Sequence, residues 1–377
     1  APQPRPVSIG VLTYNVRGIR GKKEELMSAC HHAKASILCL QETLLHEGDW
    51  RLRLPGYDVL EEQAGGQGCR GVALACRRNL GMVQSGGIPG YMIVAAAHSI
   101  SPGKKWSVGS LYIPHRGIGG IRREVLKQLK TYLLKEAWSS ATNPMLLGGD
   151  FNMKPEKLAG LLHKWGTGCQ VLTTSGSPKT WHGNNRAKQW TAIDHFIVNH
   201  AAAESLTAGR VARSVDLSDH WPLVTRIAAP GLHSQSSSIQ PHQGWSLNRE
   251  LLKDEDKQLA FASHNMWEAI RDLGDEEWTD LDTIADKIVE SSQKVAQAVG
   301  LVQEAKSSHC KPFLDRATRH LIDEKRWAYK ALVQCISAGR QEPEFSTLTT
   351  AYQEAKKAAQ AAIRKSRDKQ WSIYLQK

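Results

Sequence analysis

The feature that most constrains this chain is a series of six short apolar runs within residues 7–227, each handing over to a polar residue at or near one end. Val7–Val16 is β-branched and alternating, and delivers Asn15 near its end. Leu38-Cys39-Leu40-Gln41 runs into Glu42, and Gly109-Ser110-Leu111 into Tyr112. Leu146-Leu147-Gly148-Gly149 runs into Asp150-Phe151-Asn152. Ala192-Ile193 leads to Asp194-His195, and Leu217-Ser218 to Asp219-His220. Runs of this length and composition are strand signals. Strands are expected at Val7–Val16, Ile37–Gln41, Tyr57–Glu61, Gly71–Arg77, Tyr91–His98, Trp106–Ile113, Pro144–Gly148, Ala192–Val198, Arg210–Val215 and Trp221–Arg226. Helical spacing occurs at Lys22–Lys34, Ile121–Trp138 and Pro155–Trp165, the last with Pro in its first turn. So many strands with so few helices between them argue against regular βαβ alternation. They suit an α/β arrangement of two packed sheets flanked by helices.

The composition breaks at Ala228–Gly244, which holds Pro230, Gly231, a Ser-rich run, Pro241 and Gly244 but no Lys, Arg, Asp or Glu. This reads as a linker and divides the chain into residues 1–228, a connection over 229–245, and a helical region over 246–377. Helices are expected there at Ser246–Phe261, Leu281–Val299, Pro312–Ser337 and Phe345–Leu375. Net charge is +12 over residues 1–245, −8 over 246–304 and +8 over 305–377. The first part is basic by itself, which points to a polyanionic partner. The seven cysteines have no zinc-site spacing and read as reduced thiols of an intracellular protein. No apolar run is long enough to span a membrane, and the N-terminus does not resemble a signal peptide. The absence of an initiator methionine suggests a piece of a longer chain.

If the polar ends of the six runs converge, they bring together Glu42, Asp150, Asp194, Asp219, Asn15, Asn152, Tyr112 and His220. Hard oxygen donors of this kind suit Mg²⁺ or Mn²⁺ rather than zinc, and such a cation neutralises and polarises a phosphate for in-line attack. Taken singly, an Asp or Asn after a strand is ordinarily a turn former or helix cap. His195, His31, His32 and His115 read as structural, and Cys30 and Cys39 as core.

Asn-Val-x-Gly, Leu-Gln-Glu, Leu-Tyr-x-Pro, Gly-Asp-Phe-Asn, Ile-Asp-His and Ser-Asp-His, in that order over Ser8–Ile227, resemble the endonuclease/exonuclease/phosphatase family. The resemblance implies a four-layer α-β-β-α sandwich of two mixed sheets, here followed by an α-helical extension. It implies metal binding by Glu42 and Asn15, with Asp219 as a further ligand or outer carboxylate. His220 would contact the scissile phosphate, oriented by Asp194. Asp150 would position or deprotonate the attacking water, Asn152 would donate to the phosphorane, and Tyr112 would act near the phosphate or leaving group. The division of labour among Asp150, Tyr112 and His220 stays open.

The family also handles inositol phosphates, sphingomyelin and poly(A) tails, and a lipid or inositol phosphatase is a further reading. Tyr112, whose Leu-Tyr-x-Pro setting resembles the exonuclease III and abasic-site branch and the endonucleases of non-LTR retrotransposons, favours DNA, as do the basic charge of the first part and the helical region. The basic stretch Lys356–Trp371 is similar to the connector of LINE-type retrotransposons. It implies an endonuclease that leaves a 3′-hydroxyl for target-primed reverse transcription, fused to a reverse transcriptase, acting in the nucleus, with element RNA as a second partner for the basic helix. The alternatives are a cellular abasic-site or 3′-repair nuclease and a catalytically weak nucleic-acid-binding module. The loop Trp181–Trp190 is a candidate for facing DNA, or a plain surface turn.

Overall fold

A computed structural model of the chain describes residues 7–66, 68–101, 104–139, 143–182, 190–229, 246–247, 254–264, 294–296, 298–299, 302–303, 314–338 and 343–375. The strands are β1 (Val7–Asn15), β2 (Ala35–Gln41), β3 (Tyr57–Ala64), β4 (Arg70–Arg77), β5 (Met82–Ile88), β6 (Met92–Ser101), β7 (Lys104–Tyr112), β8 (Met145–Asp150), β9 (Gln170–Val171), β10 (Asp194–Val198), β11 (Arg210–Val211) and β12 (Leu223–Ala229). They form two six-stranded sheets, ordered β11-β12-β1-β2-β4-β3 and β5-β6-β7-β8-β10-β9. Each mixes parallel and antiparallel pairs: β1–β2 and β7–β8 are parallel, and the other pairs antiparallel. The helices of the first part are α1 (Lys23–Ala33), α2 (Gly119–Ser139), α3 (Pro155–Trp165) and the short α4 (His200–Ala203).

The period-two geometry of a strand assigns each side chain to a layer. In β1, Ile9 and Val11 face the space between the sheets, where they meet Trp106 and Val108 of β7, Leu146 of β8 and Phe196 of β10. Leu12 and Tyr14, one step out of phase, pack outward against Leu26, Ala29 and Cys30 of α1. In the other sheet Leu111, Leu147 and Ile197 point outward to Val125, Leu129 and Leu133 of α2 and to Leu158 and Leu162 of α3. Apolar residues on both faces of the central strands therefore produce four layers, α-β-β-α. Local signals set the helix ends. Pro155 opens α3, and Gly166, at φ 67°, closes it with its N–H on the His163 carbonyl. Cys30 and Cys39 are both fully buried in apolar surroundings, and every described cysteine is free.

Several element bounds differ from expectation. The strand expected at Arg210–Val215 shrinks to two paired residues. The strand expected from Trp221 starts at Leu223, beyond Pro222, which has no N–H to give a ladder. A strand at Met82–Ile88 was not expected, and its exposed, glycine-containing sequence carries little apolar signal. The helix expected at Ser246–Phe261 is instead a short strand, β13 (Ser246–Leu247), and a helix, α5 (Glu255–Ala262), capped by the Asp254 carboxylate. β13 pairs with β14 (Val302–Gln303). Most of the connection over 229–245 and of the helix expected at Leu281–Val299 lies outside the described residues.

The chain divides into two units: residues 1–234 with 313–377, and residues 235–312. This differs from the sequential division read from composition. The two C-terminal helices, α6 (Arg316–Ser337) and α7 (Glu344–Leu375), belong with the sheets. They pack on each other through Ile322, Ala359 and Ile363, with Leu314 just ahead of α6 in the same cluster, and Thr318 and Ser366 hydroxyls bond between them at 2.8 Å. Composition could not reveal this, because the residues that dock the pair are dispersed polar and aromatic side chains.

Candidate active site

Strand pairing brings the expected site residues to one edge of both sheets. Parallel pairing of β1 with β2 sets Asn15 beside Gln41, so Glu42 follows by one residue. In the facing sheet, parallel pairing of β7 with β8 sets Tyr112 beside Asp150, and antiparallel β10 sets Asp194 beside the same Asp150. β12 runs antiparallel to β1 with Leu223 opposite Thr13, which places the lead-in Ser218–Pro222 at the same edge. The sheets approach closely just before that edge. A Cβ on Gly148 would lie 2.8 Å from Phe196 Cε1 and 2.9 Å from Thr13 Cβ, and one on Gly149 would lie 2.2 Å from the Leu111 carbonyl oxygen. The Gly-Gly pair is thus a packing requirement for bringing Asp150 against Asn15.

Asn15 ties the two sheets together. Its Nδ2 donates to Asp150 Oδ2 at 2.9 Å and to Glu42 Oε1 at 3.1 Å, while its Oδ1 accepts from the Arg17 N–H at 3.0 Å. Arg70 Nη1 reaches Glu42 Oε2 at 3.1 Å. His220 Nδ1 bonds Asp194 Oδ2 at 2.8 Å, and its Nε2 lies 4.0 Å from Asp150 Oδ2. Asn152 donates from its backbone to Asp150 Oδ1 at 2.9 Å, and its Nδ2 is shared between the Ile113 carbonyl at 2.9 Å and Asp150 Oδ2 at 3.4 Å. Asp219 lies at the flank, where its Oδ2 accepts from Arg17 at 2.6 Å and from the Trp181 indole at 3.1 Å. It joins the centre through the turn: Ser218 Oγ donates to the Asn15 carbonyl at 2.6 Å and accepts from the His220 N–H at 3.1 Å.

The eight residues singled out in the sequence therefore share one edge, and Asn15, Glu42, Asp150, Asn152, Asp194 and His220 form one contiguous network. Ser218 stood in the Ser-Asp-His motif without a role, and Arg17, Arg70, Arg122 and Thr180 were not foreseen. Arg122 links the two turns by donating to the carbonyls of Pro114, Phe151 and Asn152. Thr180 Oγ1 accepts from the Asp194 N–H at 3.1 Å. Their contacts span long sequence separations, so no local pattern announces them. Trp181 belongs to the site wall through Asp219, whereas residues 183–189 of its loop lie outside the described residues. His195 is structural, buried with Nε2 2.9 Å from the Met153 carbonyl oxygen. A signal of another kind is backbone strain. Non-glycine residues with positive φ include Arg17, Glu42, Leu44 and Asn152, all beside this edge, and such conformations persist where the surroundings over-determine them.

Burial, reinforced by Asp194, pushes the Asp150 carboxyl up to about 7, against the pull of His220, Asn15 and the Asn152 N–H. Burial alone would lower His220, but the charge and hydrogen bond of Asp194, with further help from Asp150 and Asp219, raise it to about 9. Burial and the adjacent Glu42 and Asp150 hold the Tyr112 phenol far above its usual range, so it remains a hydrogen-bond donor. The donor chemistry fits a hard divalent cation. Asp194 Oδ1 and Asp219 Oδ1 are buried with no hydrogen-bond partner, and buried carboxylate oxygens call for one. Asp150, Asp194 and His220 offer ligand atoms within 4.8 Å of one another, close enough to share an ion.

The model of the endonuclease/exonuclease/phosphatase family matches residues 12–220. The chain belongs to this family. The segment that matches it holds all eight site residues. Among solved structures, an AP endonuclease from Leishmania major superposes with a TM-score of 0.51 at 16% identity, covering 61% of this chain and 90% of that one. The endonuclease domain of TRAS1, a telomere-specific non-LTR retrotransposon, gives 0.47 at 21% identity, covering 59% of this chain and 99% of that one. A 3′-5′ exonuclease from Neisseria meningitidis gives 0.47 at 18% identity, covering 58% and 99%. No curated protein matches the chain. The family's fold is thus the fold described above, and its members are named for phosphoester hydrolysis.

Proposed function

We propose that this chain is a Mg²⁺- or Mn²⁺-dependent endonuclease that nicks duplex DNA and leaves a 3′-hydroxyl from which reverse transcription is primed. The observation that carries the reading is the cross-sheet cluster itself. Asn15 bridges Glu42 and Asp150 within hydrogen-bond reach, and an Asp194-oriented imidazole faces Asp150 from 4.0 Å. Glu42 and Asn15, with Asp219 alongside, would hold the cation, which would neutralise a phosphodiester and polarise it for attack. His220 keeps Nδ1 on Asp194 Oδ2 at 2.8 Å, which leaves its other ring nitrogen, Nε2, 4.0 Å from Asp150 Oδ2.

The chain's own groups then take separate parts. The His220 imidazolium places positive charge against a non-bridging phosphate oxygen, and Asp194 fixes its ring. Asp150, in its ionised form, orients the attacking water and accepts its proton at Oδ2. Asn152 donates to the phosphorane by exchanging its long contact with Asp150 for the phosphate oxygen. Tyr112 donates from its phenol beside Glu42. The net charge of +12 over residues 1–245 supports a DNA substrate. Fusion to a reverse transcriptase, a nuclear site of action and element RNA on Lys356, Lys357, Arg364, Lys365, Arg367 and Lys369 of α7 complete the retroelement reading.

The test is nicking of supercoiled plasmid with Mg²⁺, on intact and abasic DNA, followed by polymerase extension of the nick. Nicks in intact DNA that a polymerase extends directly are expected. Cleavage confined to abasic DNA would assign the chain to repair, and hydrolysis of soluble inositol phosphate without nicking would remove DNA from the reading.

A further inference from the structure

Beyond the segment that matches the family, α6 and α7 reach back to the turn that carries Asp219 and His220. Lys325 of α6, only 2% exposed, bonds through Nζ to Glu25 of α1 and, at 2.9 Å, to Asp216 Oδ1. Tyr352 of α7 donates to Asp216 Oδ2. On the other side of the turn, Trp221 Nε1 donates to the Tyr329 hydroxyl at 2.9 Å, and Trp221, Tyr329 and Val333 form one buried cluster. Asp216 and Trp221 bracket residues 217–220. Within the bracket, the Leu217 and Ser218 N–H groups both donate to the Tyr14 hydroxyl, at 3.0 and 3.2 Å, and Ser218 fastens the turn to Asn15.

A buried ammonium is tolerated only where carboxylates compensate it. Those of Lys325 come from α1 and from the residue that enters the turn, so its charge is balanced only with α6 docked. The contact therefore fixes a distance between α1 and the turn, and the Tyr329–Trp221 bond fixes the turn's exit.

We propose that α6 and α7 are positioning elements of the active site. Lys325, Tyr329 and Tyr352 hold the Asp216–Trp221 turn at the height that presents Asp219 and His220, so the site is complete only with residues C-terminal to the family segment. The effect on rate rests on the phosphodiesterase reading above; the effect on the turn does not.

Two measurements on the full chain separate these. Hydrogen exchange reads the amides of residues 214–222 directly, and single-turnover nicking with Mg²⁺ reads the rate at saturating DNA. Lys325→Met is expected to speed exchange over 214–222 by roughly 10-fold, with residues 145–151 unchanged. It is expected to slow nicking by roughly 10- to 100-fold, with DNA affinity altered by less than about 2-fold. Lys325→Arg, which keeps the cation, restores both. Tyr329→Phe removes one hydroxyl and keeps the packing; it gives the same pattern at smaller size, and decides the matter if Lys325→Met does not fold. Unchanged exchange over 214–222 in the folded variants overturns the proposal, as does a loss expressed in DNA affinity alone. A wild-type chain that nicks nothing refutes the phosphodiesterase reading, while the exchange result still decides the role of α6.

Discussion

Replacing Asp194 by Asn keeps the size and the hydrogen-bond acceptor opposite His220 Nδ1 but deletes the charge 2.8 Å away. Burial pulls the imidazole down, and Asp194 supplies the two largest opposing effects that lift it to about 9. Without that charge His220 falls back toward its ordinary value of 6.5. The change is worth about 3 kcal/mol between the two protonation states, and both groups are buried, so solvent screens little of it. At about pH 8 the imidazolium fraction then falls roughly 30-fold, and at about pH 6 by less than 2-fold. If the protonated form serves the phosphate, Asp194→Asn nicks roughly 30-fold more slowly at the higher pH and approaches wild type at the lower. Loss of the same charge also lowers Asp150, which narrows the gap at acid pH further. Stability reports the same pair. A His raised in the folded state contributes stability that is fully present below its unfolded value of 6.5 and is lost as pH rises through about 9. The wild-type Tm should therefore decline across that window more steeply than that of Asp194→Asn. The assay is single-turnover nicking from about pH 6 to 9.5 beside thermal unfolding. A deficit of equal size at both ends of the range would refute the argument.

Other consequences follow from the same geometry. Glu42→Gln and Asp150→Asn each remove one carboxylate bridged by Asn15, and each should lower the nicking rate by about 100-fold or more. Asp150→Asn should not lower the Tm near neutrality, since it relieves a buried acid whose ionisation burial already opposes. Gly148→Ala forces a methyl between Thr13 and Phe196 and should cost about 1–3 kcal/mol in denaturant unfolding. Chelation with EDTA should abolish nicking, and Mg²⁺ should restore it while raising the Tm; a Glu42→Gln chain that gains the same Tm increment from Mg²⁺ would argue against Glu42 as a ligand.

The sequence picked out the candidate residues largely because they lie at or near strand ends, and a strand end is a local event. Asn15, Tyr112 and Asp150 follow apolar runs whose burial leaves no doubt about where the chain leaves the core. Asp219 and His220 were found by their motif, although the strand beside them starts only at Leu223. The supporting shell escaped notice for the complementary reason. Arg70 reaches Glu42, Arg17 reaches Asp219 and Thr180 holds Asp194 across 28, 202 and 14 residues of chain. Each of those side chains is unremarkable in its own neighbourhood.

The division of the chain shows where local reading stops. A charge-free, Pro- and Ser-rich stretch reads as a boundary whatever comes after it, and the amphipathic period of α6 is visible in one dimension. The sequence by itself thus determined that strands of two buried faces must pack as sheets between helices, since apolar residues at both phases of a strand leave no side for water. It also named the carboxylates, carboxamides, phenol and imidazole that meet at the sheet edge. Only the tertiary structure decided that Asn15 joins the sheets through Asp150, and that Lys325 sits between Glu25 and Asp216. A buried charge finds its partners through space, and nothing in the order of residues records that pairing.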